Sequence, residues 1–493
     1  MELLPFQKRI SLYTGVIAKT TKKKVFLHYN LLYCHLKMSE CCDILLCGDF
    51  VLLCTYKYLK GEILIMNLSQ MTKDEIASFK SENEKLYNDF KGQGLCLNMA
   101  RGNPCKEQLE LSVDMLRVFD DGNFMSECGN DVRNYGILDG IPEAKKLFSD
   151  MLGVASDEVI IYGNSSLNAM FFAVQCAFNK GILGSKPWSQ CGKIKFLCPV
   201  PGYDRHFKVT EFFGVEMINV PMTPTGPDMD MVEELVKDEA VKGIWCVPQY
   251  SNPDGISYSD ETVKRFAALK PAAKDFRIFW DNAYCIHHLT DKPKYILNIL
   301  DEAKKAGNEN IVYMFGSTSK VTFPGAGVAV MGASKENIEE LKKYLGISII
   351  GYDKMNQMRH VKYFGTYENM VEHMKKHMAI IAPKFRLVCE KLQSEIAPLG
   401  IGTWTTPEGG YFISFNAPNG CAKRIVQLCK DAGVTLTGAG ATFPYGVDPE
   451  DKNIRLAPTY PPIEDLAKAM ELFVICVKIA AAEKLLAEKL LAE

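Results

Sequence analysis

The sequence predicts an α/β fold, a large domain on a mostly parallel sheet followed by a smaller α+β region. Two observations carry this. Between about residues 126 and 335, helical stretches alternate with the short apolar runs "EVIIYG", "KIKFLCP", "VEMINVP", "KGIWCVP", "FRIFWD", "IVYMFGS" and "GVAVMG". Runs of this length and content read as strands, and strands that alternate with helices pair in parallel. From about residue 400, "GTWTTPEGGYFISFN", "VTLTGAG" and "NIRLAP" read as strands set among further helices. Several runs end in a polar or turn residue, which places chemistry along the carboxyl edge of the sheet.

Composition bounds the function. The 493 residues are 47% hydrophobic and 24% charged, with a net charge of −2. That balance gives no support for a nucleic-acid or membrane-surface partner. Seventeen cysteines are scattered without a C-x-x-C pair or zinc-ligand spacing. They read as reduced thiols of a cytoplasmic protein. No run reaches the roughly 18 uninterrupted apolar residues of a membrane span.

Taken in order, residues 1–65 look foreign to the rest. They hold five cysteines, a "TKKK" run and the interrupted apolar patch "DILLCGDFVLLCTY". They lack a signal-peptide cleavage pattern and an Arg-rich amphipathic helix, and read as a poorly ordered extension ahead of a start at Met66. The folded unit follows. In "LSQMTKDEIASFKSENEKLYNDFKGQG", Thr72 and Glu75 have capping-box spacing and Gly92 is a stop. Residues 336–400 are helical and charged. The tail "AAAEKLLAEKLLAE" has strong helix propensity and reads as a solvated terminal helix over 481–493.

The chemistry centres on "YMFGSTSKVTFPGAGVAVMG", residues 313–332. Burial disfavours the ammonium form of a lysine such as Lys320, and a neutral amine is a nucleophile that forms Schiff bases. Ser317, Thr318 and Ser319 suit a phosphate. A solvated lysine at a strand end is the plainer alternative. "IFWDNAYC" ends an apolar strand at Asp281, with Tyr284 three residues on; a buried carboxylate needs a cationic partner, although Asp281 could instead cap a helix. "VPQYSNPDG" holds the Asn252 amide against Pro253, or is an ordinary turn. "IIYGNSSLNAM" runs through Gly163 into a helix with Ser165 and Ser166 at its N-terminus, an anion site or plain capping. Tyr203 in "CPVPGYDRHF" can stack on an aromatic ring or lie on the surface. Arg455 in "NIRLAPTY" suits bidentate carboxylate binding or a structural ion pair.

Taken in this order, the elements resemble the fold-type I pyridoxal-phosphate-dependent aminotransferases of class I/II, over roughly residues 70–475. "LNMARGNPCKEQLELS", "GNSSLN", "STSKVTFPGAGVA" and "DKMNQMRHVKYF" are similar to a divergent bacterial-type aspartate aminotransferase branch. The resemblance implies a large cofactor-binding domain over 126–380 with a seven-stranded sheet. It implies a small domain built from 66–125 and 381–480. It makes Lys320 the Schiff-base lysine, Asp281 the partner of the pyridine nitrogen and Tyr203 the stacking residue, the three catalytic positions. Asn252 and Tyr284 become donors to the ring phenolate oxygen. Ser165, Ser166, Ser317 and Ser319 build the phosphate cup. Tyr135, in "RNYGILDGIPEAKKLF", reaches the phosphate of a neighbouring subunit, which implies a homodimer. Gly102 and Arg455 hold the substrate α-carboxylate.

The resemblance implies transfer of an amino group between an L-amino acid and a 2-oxo acid, with aspartate or glutamate favoured. For the distal carboxylate, "NQMRHVKYF" offers Arg359, His360 and Lys362, of which Arg359 is the candidate; a solvated helix face would look the same. One departure stands out. Relatives commonly carry a phosphate-binding arginine seven or eight residues after the lysine, where this chain has Gly327 and Val328. A lyase on the same scaffold would use the same lysine and aspartate. A non-catalytic regulator would need a DNA-reading module, which residues 1–65 do not resemble.

Overall fold

The computed structural model describes residues 67–491. The expected extension over residues 1–65 lies outside them. Each of the seven apolar runs forms a strand of one sheet: β1 Val159–Ile161, β2 Lys195–Val200, β3 Glu216–Thr223, then β5 Val241–Cys246, β6 Arg277–Asp281, β7 Val312–Ser317 and β8 Ala329–Ala333. An eighth strand, β4 (Gly226–Pro227), corrects the expected seven; it is a two-residue return that pairs antiparallel with the end of β3. A Gly-Pro pair carries no apolar run, so nothing in the pattern announces it. The spatial order is β1-β8-β7-β6-β5-β2-β3-β4. β3, β2, β5, β6 and β7 pair in parallel. β8 pairs antiparallel with both β1 and β7.

The sheet is covered on both faces, as parallel sheets are. Successive side chains point to opposite faces. Ile278, Trp280, Val312 and Met314 join one core, whereas Phe279, Tyr313 and Phe315 join the other with Phe196 and Trp245. Asp281 continues the Phe279 side, so strand parity aims its carboxylate towards the Trp245 layer.

A third core gathers the two ends of the described chain. Its members include Ile76, Tyr87, Phe385, Val388, Ile413, Phe415, Ile425 and Phe473. The helix Lys73–Lys91 starts with the expected capping box, in which Thr72 and Glu75 satisfy each other's backbone N–H groups, and ends at Gly92. Leu97–Asn98 pairs in parallel with Val434–Thr435 and stitches the N-terminal piece to the C-terminal one. Beside them lies an antiparallel sheet of β9 Thr403–Trp404, β10 Ile413–Asn416 and β11 Asn453–Leu456. The 29-residue helix Tyr367–Glu395 joins the cores: Met370 and Met374 pack with the large sheet, and Phe385, Val388 and Leu392 with the third core.

The terminal segment differs from expectation. Ile463–Leu491 is one continuous helix, and Ala481 and Ala482 are buried in the third core with Leu485 and Leu486 packed against it. Alanines fit close to neighbouring elements, so the helix becomes exposed only towards its end. The described cysteines are free thiols. Among the described residues no helix is long and apolar enough to cross a membrane.

Candidate active site

The carboxyl ends of five parallel-running strands converge. The turn after β1 carries Ser165 and Ser166, the turn after β2 Tyr203, and the loop after β5 Asn252. β6 ends at Asp281, and β7 runs through Ser317 to Lys320. Because β8 runs the opposite way, it begins at this edge, beside Gly327 and Val328. β2 lies between β3 and β5, so the chain leaves it in one direction and returns on its other side; crevices form at such reversals.

Asp281 is 3% exposed. Its Oδ2 is 3.0 Å from His206 Nε2. Its Oδ1 is buried and has no partner. His206 stacks on Trp245 with ring centroids 4.5 Å apart, and the edge of its ring meets Tyr203 at 4.9 Å. The indole N–H donates to Thr210 Oγ1 at 2.8 Å, and Thr210 in turn donates to the His206 carbonyl at 2.9 Å. A buried carboxylate oxygen without a donor is costly. This one is held in place by a packed aromatic layer.

Lys320 is half-buried, with its Nζ 5.1 Å from the Tyr284 ring centroid and 6.0 Å from that of Tyr411. Burial lowers its amine below the ordinary lysine range, and the Asp281 charge opposes that shift. Burial also pushes the Tyr203 phenol up to about 12 and Tyr284 well above its usual value. Both remain protonated donors at neutral pH. Tyr411 secures the loop below: it donates to the Lys320 carbonyl at 3.4 Å and accepts from Gln108 Nε2 at 2.8 Å.

Of the four serines, Ser317 and Ser319 meet directly. Ser317 Oγ donates to Ser319 Oγ at 3.0 Å, and Ser319 Oγ donates to the Asn164 carbonyl at 3.3 Å. This joins the lysine loop to the turn that opens the helix Ser166–Lys180, whose cap residue Ser165 makes no side-chain capping bond. Hydroxyls and free N–H groups at a 15-residue helix start make an anion site.

Arg455 lies in β11 at 6% exposure. Its Nη1 donates to Asp204 Oδ1 at 2.9 Å and to Asn252 Oδ1 at 3.2 Å. Its Nη2 has only a 3.4 Å contact with Thr437, and its Nε is buried without a partner. The guanidinium rests 4.8 Å over the Phe412 ring. Gly102 approaches the same ring so closely that a Cβ there would lie 2.6 Å from it. Gly102 and Arg455 are therefore brought together, with two guanidinium N–H groups available for a bidentate carboxylate.

This constellation sits in a chain whose residues 71–489 match the family model described as aspartate amino-transferase. The chain belongs to the aspartate aminotransferase family. The aspartate aminotransferase of Corynebacterium glutamicum is 45% identical over 419 residues, covering 85% of this chain and 97% of that protein. A crystal structure of an aspartate transaminase from the same organism superposes with a TM-score of 0.83, covering 85% of this chain and 99% of that one. The α-aminoadipate aminotransferase of Thermus thermophilus, complexed with N-(5'-phosphopyridoxyl)-L-leucine, shares the fold at 20% identity and a TM-score of 0.65, covering 80% and 93%.

Two expected residues of this aminotransferase-family chain stand apart from the cluster. Tyr135 projects from the surface, 83% exposed. Arg359 lies on the helix Lys354–Phe364, where its Nη2 donates to Asn356 Oδ1 and its Nε is buried without a partner. Sequence reasoning missed His206, Tyr411, Phe412 and Asp204. His206 and Asp204 flank Tyr203 within "YDRH", so the tyrosine's neighbours at +1 and +3 were the available signal. Tyr411 and Phe412 follow the paired glycines Gly409 and Gly410, which pack against Tyr250 with no room for a side chain.

Proposed function

We propose that the chain is a pyridoxal-phosphate-dependent aspartate aminotransferase acting as a homodimer. The carrying observation is the orphaned Asp281 Oδ1, fixed by the His206 bond to Oδ2 and aimed at the cluster. A protonated ring nitrogen is the partner that would satisfy it. The residues present fit the cofactor on other counts too. Lys320 would bond its aldehyde carbon, Tyr203 would stack on its ring, and Tyr284 would donate to its phenolate oxygen. Asn252 spends its Oδ1 on Arg455, which leaves its Nδ2 donors for that oxygen as well. Ser165, Ser166, Ser317 and Ser319 would cradle the phosphate. When bound, the group supplies an electron sink for a carbanion at the substrate Cα.

The chain's own residues do the rest. Arg455 binds the substrate α-carboxylate through its Nη2 and Nε, with Asp204 and Asn252 fixing the guanidinium from the Nη1 side. Gly102 lets the backbone approach that carboxylate. These contacts orient the Cα–H bond towards the catalytic amine. Lys320, with its amine lowered by burial, would take the Cα proton as general base. Asp281 would accept a hydrogen bond at its unpartnered Oδ1 from the protonated ring nitrogen. The exposure of Tyr135 supports the dimer reading, in which it would reach the phosphate of the neighbouring subunit. The name of the C. glutamicum relative supports aspartate as amino donor.

The test is an absorption spectrum of the protein with pyridoxal phosphate, before and after L-aspartate. A band near roughly 420 nm that moves to about 330 nm while oxaloacetate appears is the expected result. It should be absent in Lys320→Ala. Release of pyruvate and ammonia from a β-substituted amino acid without an oxo-acid acceptor would instead show a lyase.

A further inference from the structure

The cup described above has hydroxyls and a helix start but no cation on the lysine loop. Gly327 and Val328 stand where the family resemblance leads one to expect an arginine. Val328 is 1% exposed, and a Cβ on Gly327 would lie 2.9 Å from Thr318 Oγ1 and 3.5 Å from the Ser319 backbone nitrogen. No long side chain fits there. Neutral hydroxyl and N–H donors do not neutralise the charge of a dianionic phosphate, and an arginine adds both a counter-charge and a bidentate pair of hydrogen bonds.

The helix Lys354–Phe364 packs across this gap. Asn356 Nδ2 donates to the Gly327 carbonyl at 2.6 Å. Arg359, one turn further on, donates from Nη2 to Asn356 Oδ1. On the same face, His360 Nε2 lies 3.1 Å from Thr318 Oγ1 and 3.0 Å from Thr322 Oγ1. Arg359 is thus linked through Asn356 to Gly327, and the next residue, Val328, exchanges hydrogen bonds with Thr318, which stands between Ser317 and Ser319. Among the described residues Arg359 has no carboxylate partner, and its Nε is buried and unbonded. Its guanidinium is tethered through Asn356 to the lysine loop at Gly327, with donors to spare.

We propose that Arg359 supplies the counter-charge to the cofactor phosphate, from a helix instead of the lysine loop, and that Asn356 positions it. This rests on the reading of the chain as a pyridoxal-phosphate enzyme, and it gives Arg359 a different use from a distal-carboxylate contact. A rival cation on the same helix is Lys354. It is 6% exposed and lines a cavity of about 460 Å³ with Arg133, Tyr135 and Tyr352, on the side where Tyr135 leaves the surface.

The experiment measures equilibrium dissociation constants for pyridoxal phosphate and for pyridoxal, which lacks the phosphate, with the wild-type chain, Arg359→Ala, Arg359→Lys and Lys354→Ala. Arg359→Ala should weaken pyridoxal phosphate by about 10- to 100-fold and leave pyridoxal unchanged. Arg359→Lys should restore part of the loss, because a point charge remains without the fork. The unchanged pyridoxal constant also reports that the variant is folded. The ³¹P resonance of the bound phosphate should move in Arg359→Ala, a readout independent of turnover. Equal losses for the two ligands, no loss for either, or a phosphate-dependent loss in Lys354→Ala alone would each overturn the assignment. So would intact cofactor affinity in Arg359→Ala combined with loss of aspartate but not alanine turnover. If the wild-type chain binds no pyridoxal phosphate at all, the reading of the enzyme fails, and not merely the role of Arg359.

Discussion

His206 Nε2 and Asp281 Oδ2 are 3.0 Å apart, 75 residues distant in sequence, and both almost wholly buried. The histidine bond uses one carboxylate oxygen and leaves the other exposed to whatever occupies the cleft. Asp281→Asn keeps the shape and removes the charge. It should lower kcat by about 10²- to 10³-fold, the size of losing one preorganised electrostatic contact. His206→Asn should cost less, about tenfold, because the carboxylate persists but loses its orientation. Steady-state kinetics of both variants check the order. Equal losses would mean that His206 does more than position Asp281.

Arg455 is shared between Asp204, Asn252 and an open edge. Arg455→Lys keeps the charge but loses the fork, and the Asp204 carboxylate keeps a cationic neighbour. kcat/KM should fall by about 10²-fold for both the amino acid and the oxo acid, mostly through KM. Initial-rate measurements in both directions test this. A fall confined to one substrate would separate Arg455 from the carboxylate that all substrates share.

The strands were legible because nearly all are buried on both faces and therefore read as continuous apolar runs. The same burial hid what lies between them. Lys320, Asp281, Asn252 and the serines sit at strand ends, where a break in the apolar pattern marks them. His206 lies inside a helix, and nothing local tells a histidine that serves Asp281 from one that packs on Trp245; here it does both. Tyr411 reaches the Lys320 carbonyl from 91 residues downstream. Tyr411 packs with Tyr250, Tyr284 and Phe412 in a small cluster of its own, which pattern alone does not describe. Ala481 and Ala482 were misread because alanine-rich helix looks the same in water and in a tight core.

Gly102 has no positive φ to explain it; the reason for glycine is the Phe412 ring. A Cβ at 102 would meet Cζ at 2.6 Å and Cε1 at 3.0 Å. Gly102→Ala should push the ring towards the Arg455 guanidinium stacked on it. The expected outcome is a stability loss of about 1–3 kcal/mol, as for other overpacked sites. KM for carboxylate substrates should rise about tenfold with little change in kcat. Thermal unfolding and kinetics on the same sample read both effects. Unchanged KM with reduced stability would detach Phe412 from the substrate site.

Four histidines, His287, His360, His373 and His377, are buried in or beside the segment that carries Lys320. Burial lowers all of them: His360 to about 4 and His377 to about 3, with His287 and His373 moved the same way. In His360 the Asn356 carbonyl, 2.8 Å from Nδ1, can only accept, so Nδ1 carries the proton and Nε2 accepts from the threonine hydroxyls. A protonated ring would break that arrangement. Below an unfolded value near 6.5 the unfolded chain binds more protons than the folded one, so stability rises with pH. The stabilisation is complete above about 6.5 and drains away as pH falls towards 4, at up to about 1.4 kcal/mol per pH unit for each such histidine. Denaturant unfolding between pH 7 and 4.5 should show this slope. His360→Gln should flatten it by up to one histidine's share at some cost in stability at pH 7. An unchanged slope in that variant would show that His360 titrates normally in the folded protein.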